Sequence, residues 1–122
     1  MDNGLDELIV RINKFVLERD WEQFHNAKNL VTSISIEAAE LCEIIQWSNP
    51  SWDTLAEDDA KVLQFGEELS DVMIYCLRLC SMLDLDPLSI MHDKISKNER
   101  KYPVELSKGK STKYSDLGDG EA

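Results

Sequence analysis

The sequence predicts an all-α protein, an antiparallel four-helix bundle completed by homo-oligomerisation. Three observations carry that expectation. Apolar residues recur at spacings of three and four along four separate segments, no alternating Val/Ile/Thr-rich segment competes with them, and each segment has one apolar stripe that needs a neighbour.

The first helix is expected over about Leu5 to Glu18, where Leu5, Leu8, Ile9, Ile12, Phe15 and Val16 share one face. The second spans about Ala27 to Trp47 and is stopped by "SNPSW", because the residue before Pro50 is pushed out of helical geometry. A third starts between Thr54 and Asp59, where the acidic "EDD" suits a helix N-terminus, and runs to about Leu83. The fourth begins at Pro87, whose fixed φ suits a first helical position, and ends before Pro103. Residues 1–104 are therefore expected to form the helical domain. Residues 105–122, rich in Gly, Ser and Lys, read as an extended tail, ordered only where it lies on something else.

A chain of 122 residues is long enough for one core without disulfides or structural metal. Cys42, Cys76 and Cys80 lack CxxC spacing, so neither a disulfide framework nor a zinc site is suggested, and Cys76 and Cys80, one turn apart among Val72, Met73, Leu79 and Leu83, read as small core residues in a reducing compartment. No secretory leader or membrane-length apolar run is legible, and the expected location is cytoplasmic. A formal charge of −11 argues against a nucleic acid polymer or an anionic membrane as partner, since both need a basic surface. A small anionic ligand stays open, provided that metal ions and a local basic patch bring it in.

The acids carry the chemistry. With about 100° per residue and Ile34 at zero, Leu30, Ala38, Leu41 and Ile45 fall within about 40°, Glu37 lies near −60° and Glu40 near −120°. Glu37 thus sits inside the apolar stripe of the second helix and Glu40 at its margin. On the third helix, with Leu69 at zero, Val72, Met73, Cys76 and Cys80 form the expected core stripe within about 60°, and Glu68, Asp71 and Tyr75 run along one flank. The pattern is ExxE followed by ExxD.

A single ExxE on a helix is ordinarily a solvated edge. Two such pairs facing one another are different, because burying an uncompensated carboxylate costs several kcal/mol. A divalent cation removes that cost, and an oxygen-only set suits magnesium or manganese rather than zinc. A di-iron bundle would need Glu-x-x-His on two helices. This chain has one match, Glu22 to His25, and Ser89 stands three residues before His92.

A phosphate ligand at such a site would call for cations and an aromatic surface. Lys94, Asn98 and Lys101 share a face of the fourth helix in "KISKNERKYP", and Trp21, Phe24 and His25 precede the second helix, which Trp47 closes.

Together "ERDWEQFH…KNL", "EAAELCEIIQW", "EELSDVMIY" and "KNERKYP" resemble the MazG-like all-α nucleoside triphosphate pyrophosphohydrolases, most closely the dCTP pyrophosphatase-like branch. The resemblance covers about Leu5 to Leu117, with 27 residues between Glu40 and Glu68. It implies magnesium held by Glu37, Glu40, Glu68 and Asp71, and cleavage of a nucleoside triphosphate such as dCTP to the monophosphate and pyrophosphate, in the cleansing of nucleotide pools. It also implies nucleotide contacts from Trp21, Glu22, Gln23, Phe24, His25, Trp47 and Tyr75, phosphate or sugar contacts from Lys94 and Asn98, and assembly as a homodimer or homotetramer. One departure stands in the first helix: dCTP-preferring vertebrate members carry a histidine where this chain has Ile12, and loss of a hydrogen-bonding group near the base shifts selectivity. The rival expectation is a non-catalytic helical module that binds nucleotide or protein on the same surface.

Overall fold

A computed structural model describes residues 4–117, and among these the chain forms helices and turns with no strand. In order these are α1 (Gly4–Glu18), a 3-10 turn at Glu22–Phe24, α2 (Ala27–Ile44), α3 (Trp52–Ala56), α4 (Asp59–Met82), α5 (Pro87–Lys101), α6 (Val104–Ser107) and a 3-10 turn at Tyr114–Asp116. They divide into two compact units, one ending at Asp84 and the other beginning at Leu85.

Helix starts follow side chains that supply an oxygen to a free N–H. Asn26 accepts from the Asn29 amide at 2.8 Å, Ser51 from Thr54 at 3.2 Å, Asp58 from Lys61 at 3.1 Å and Asp86 from Ser89 at 3.0 Å. The third expected helix is α4, which starts at Asp59 on the Asp58 cap and ends at Met82, and Ser51 caps a short helix ahead of it, α3, that the periodicity did not reveal. The second helix also stops earlier than expected, at Ile44, with Ile45–Trp47 in a turn. Lys61 Nζ donates to the Ile44 carbonyl at 3.2 Å, placing a cation at the negative end of α2.

Three contacts fix the direction of the main pair. Ile44 meets Lys61, Glu37 and Glu40 meet Glu68 and Asp71, and His25, just ahead of α2, meets Arg78. Residue numbers fall along one helix as they rise along the other, so α2 and α4 are antiparallel. Leu30 is sealed at their contact, 1% exposed, and Ile44, Ile12 and Val16 are also buried.

The expected core stripe of α4 is covered only in part. Leu69 is 43% and Met73 54% exposed, and Cys76 is exposed as well, whereas Val72 and Cys80 are half-buried, and Glu68, Tyr75 and Arg78 are on the covered side. The reason lies in the partner. The face that meets α2 carries the acids, and the side of Leu69 and Met73 faces away from it.

In the second unit α5 starts on Asp86 and Pro87 as the sequence leads one to expect. Beyond α6 the tail folds back on the end of α5: the Tyr114 ring meets Tyr102 edge-on at 6.2 Å, and Lys101 Nζ lies 4.6 Å from the Tyr114 ring centre. No described helix is long and apolar enough to cross a membrane.

The seating of α2 gives a direct test. Leu30→Ala should lower stability to urea by about 2–5 kcal/mol, because the side chain is 1% exposed and its loss leaves unfilled space at a cavity that it lines. An unchanged urea midpoint would mean that Leu30 does not anchor the helix.

Candidate active site

Glu37 and Glu40 stand one turn apart on α2, and Glu68 and Asp71 one turn apart on α4. Antiparallel packing gathers all four, so that one oxygen from each lies within 4.8 Å of the others. Glu37, Glu40 and Glu68 are half-buried and Asp71 is exposed. One oxygen of Glu37 and one of Glu68 are buried with no hydrogen-bond partner, and no ion pair reaches any of the four among the described residues.

The electrostatics record that crowding. Loss of solvent, a carboxyl–carboxylate hydrogen bond with Glu40 and repulsion from Glu40, Asp71 and Glu68 push Glu37 up to about 7. Glu68 is raised too, first by its hydrogen bond with Glu40, then by desolvation and by the charges of Glu40, Asp71 and Glu67. The residues fit a divalent cation: the donors are all carboxylate oxygens, and two of them are stranded without partners. Opposed ligands of magnesium lie about 4.2 Å apart, at about 2.1 Å each from the ion, so a spread of 4.8 Å closes with small carboxylate rotations.

Asp71 belongs to a second feature as well. It lines a cavity of about 500 Å³ together with Ile12, Phe15, Trp21, His25, Tyr75 and Arg78. A smaller cavity of about 340 Å³ shares Trp21, His25 and Tyr75 and adds Phe24, Asn29 and Ser33. The Trp21 indole is held edge-on against Phe15, with centroids 5.6 Å apart. A predominantly apolar hollow of this size accepts a drug-sized molecule, and its polar groups orient the occupant.

Of the residues expected to contact nucleotide, Trp21, Phe24, His25 and Tyr75 therefore line the cavities. Glu22 lies beside them through its ion pair with Arg78 at 3.6 Å. Gln23 is turned to its own loop, donating to the Asp20 carbonyl at 2.9 Å and the Asp20 carboxylate at 3.1 Å. Trp47 lies past the end of α2, is 90% exposed and lines neither cavity. Lys94 and Asn98 share a face of α5, in the second unit.

The residue that sequence reasoning missed is Arg78. It is buried, and its Nε donates to His25 Nδ1 at 3.1 Å while Nη1 donates to Asn13 Oδ1 at 2.9 Å. Asn13 in turn donates to Ser81 Oγ at 3.2 Å. A signal was present: Arg78 is the lone cation in the apolar run "VMIYCLRLCSML", seven residues after Asp71 and three after Tyr75, hence on their face.

The unit is thus all-helical, with a carboxylate cluster that could hold a divalent cation and that adjoins an aromatic cavity through Asp71. The family model for MazG-like proteins matches residues 32–117, and the chain belongs to that family. It is 39% identical over 110 residues to dCTP pyrophosphatase 1 of Bos taurus and over 111 residues to that of Homo sapiens, in each case across 88% of this chain. The chain spans 64% of the length of these curated relatives. A crystal structure of a pyrophosphatase from Archaeoglobus fulgidus superposes with a TM-score of 0.75 at 39% identity, covering 84% of this chain and 95% of that one.

The raised carboxyl predicts a pH dependence. Glu37 ionises near 4.5 without its neighbours and near 7 in the fold, so the folded state holds the proton more tightly. That stabilisation is complete below about pH 4.5 and is lost as pH rises through 7. The urea midpoint of the metal-free protein should fall across this window, Glu37→Gln should flatten the fall, and magnesium should reverse it at pH 8. A midpoint that climbs between the two values would refute the assignment.

Proposed function

We propose that this chain is a magnesium-dependent nucleoside triphosphate pyrophosphohydrolase that hydrolyses dCTP or a related deoxynucleoside triphosphate to the monophosphate and pyrophosphate. The observation that carries the reading is the group of four carboxylates with two buried, unpartnered oxygens. The names of the relatives, dCTP pyrophosphatase and pyrophosphatase, supply the substrate class.

Glu37, Glu40, Glu68 and Asp71 hold the metal. Bound there, magnesium, with manganese as a substitute, supplies charge to offset the phosphates and to favour ionisation of water. Glu40, which neighbours both Glu37 and Glu68, orients the attacking water and takes its proton. The water oxygen bonds to the α-phosphorus, and the bond from that phosphorus to the α–β bridging oxygen breaks. The electron pair leaves with pyrophosphate. Trp21, Phe24, His25 and Tyr75 enclose the base and sugar, which orients the α-phosphorus toward the carboxylates and keeps bulk water off the nucleoside.

The family resemblance adds Glu22, Gln23 and Trp47 to the nucleotide contacts, and Lys94 and Asn98 as phosphate or sugar contacts. It also gives the outward stripe of Leu69 and Met73 a role, as a surface covered in a homodimer or homotetramer. Residues 1–104 are the catalytic domain in this proposal, residues 105–122 its tail, and the setting is cytoplasmic. The biological task is the cleansing of nucleotide pools.

Release of pyrophosphate from a panel of deoxynucleoside triphosphates with magnesium tests the activity directly; silence across the whole panel would remove the proposal. Glu37→Gln and Asp71→Asn should each lower kcat by at least about a hundredfold with helical circular dichroism intact. Full turnover in either variant would sink the ligand assignment.

A further inference from the structure

In the cavity beside the carboxylates, the hydrogen-bonding character of one wall is set from behind. His25 Nδ1 lies 3.1 Å from Arg78 Nε. A guanidinium has five N–H donors and no acceptor, so this contact is a hydrogen bond only if Nδ1 offers its lone pair. The imidazole proton is then confined to Nε2. Nε2 itself has no hydrogen-bond partner among the described residues, and His25 lines both cavities.

Arg78 is not free to turn away. Its other nitrogens are engaged by Asn13 Oδ1 at 2.9 Å and by Glu22 Oε1 at 3.6 Å, and the residue is buried at 6% exposure. Asn13 presents its carbonyl oxygen to the guanidinium, which can only donate, and its amide nitrogen donates to Ser81 Oγ. Rotating Arg78 would strand a buried charge and the Asn13 acceptor together.

We propose that Arg78 is a positioning residue that fixes His25 as the Nε2–H tautomer, so that the His25 ring offers the cavity a hydrogen-bond donor, not an acceptor, for a carbonyl oxygen or unprotonated ring nitrogen of the bound base. The inference rests on the nucleotide reading above and deepens it. A second proton on Nδ1 would set one N–H against another beside a cation. Burial and Arg78 accordingly hold His25 below its ordinary value of 6.5, with Glu22 opposing them.

The chain has two histidines, His25 and His92, so a two-bond proton–nitrogen correlation spectrum of histidine-labelled protein resolves both rings. At neutral pH His25 should have a bare Nδ1 and a protonated Nε2; a protonated Nδ1 would overturn the proposal in the unmodified protein, whether or not any variant folds. Arg78→Met should bring in the Nδ1–H form, and its continued absence in a folded variant would equally refute the lock. Adding dCMP with magnesium should shift the Nε2 resonance, and Arg78→Met should weaken dCMP binding about tenfold. An unmoved resonance at saturating dCMP would remove the contact with the base. These readouts do not require turnover, so a failed pyrophosphate assay would strike the proposed activity and leave the tautomer to be decided by the spectrum.

Discussion

Four carboxyl groups at the contact between α2 and α4 are the constraint around which the rest of the fold is arranged. Packed helices normally meet through apolar side chains, and like charges at such a contact push it apart. Here the repulsive middle is clamped at both ends. On one side Ile44 is buried and Lys61 takes the last carbonyl of α2; on the other Leu30 is sealed, and His25 is tied to α4 through Arg78. A fully buried Leu contributes about 1.5–3 kcal/mol and a buried carboxylate costs several, so two clamps are of the size needed to hold the strained centre.

That arrangement explains why the centre is legible in sequence. Counting residues around a helix places Glu37 inside the apolar stripe, where an acid is costly unless its charge is offset. Two acids on each of two adjacent helices mark the cluster, and the structure gathers all four. The identity of the aromatic wall is legible for a similar reason, since Trp21, Phe24 and His25 precede a helix whose first turn fixes their place.

Other features were not legible because they depend on the choice of partner. An apolar stripe must be covered, but periodicity does not say by what. The stripe of Leu69 and Met73 was read as core, yet α2 takes the acid-bearing flank of α4 and leaves those two residues exposed in the single chain. Arg78 was overlooked for the converse reason. A lone Arg in an apolar helix looks like a solvated edge until Asn13, 65 positions away, and His25, 53 away, are seen to converge on it. Trp47 was placed on a helix that ends three residues sooner, where a lysine from α4 meets the terminal carbonyl.

One face of α4 joins the two halves of the site. Asp71, Tyr75 and Arg78 follow at spacings of four and three, and at about 1.5 Å per residue the first and last are about 10.5 Å apart along the axis. A rigid helix thus sets the distance between an acid of the carboxylate cluster, the aromatic wall and the residue that donates to His25. In the proposed function these are the phosphate and base ends of one ligand, and neither can move without the other. The remaining wall comes from α1 and the turn after it, through Ile12, Phe15 and Trp21. None of those positions is among the four clustered acids, so a substitution at position 12 changes the cavity wall without removing a carboxylate. The shape of the cavity can therefore drift on α1 while the acid cluster stays pinned between α2 and α4.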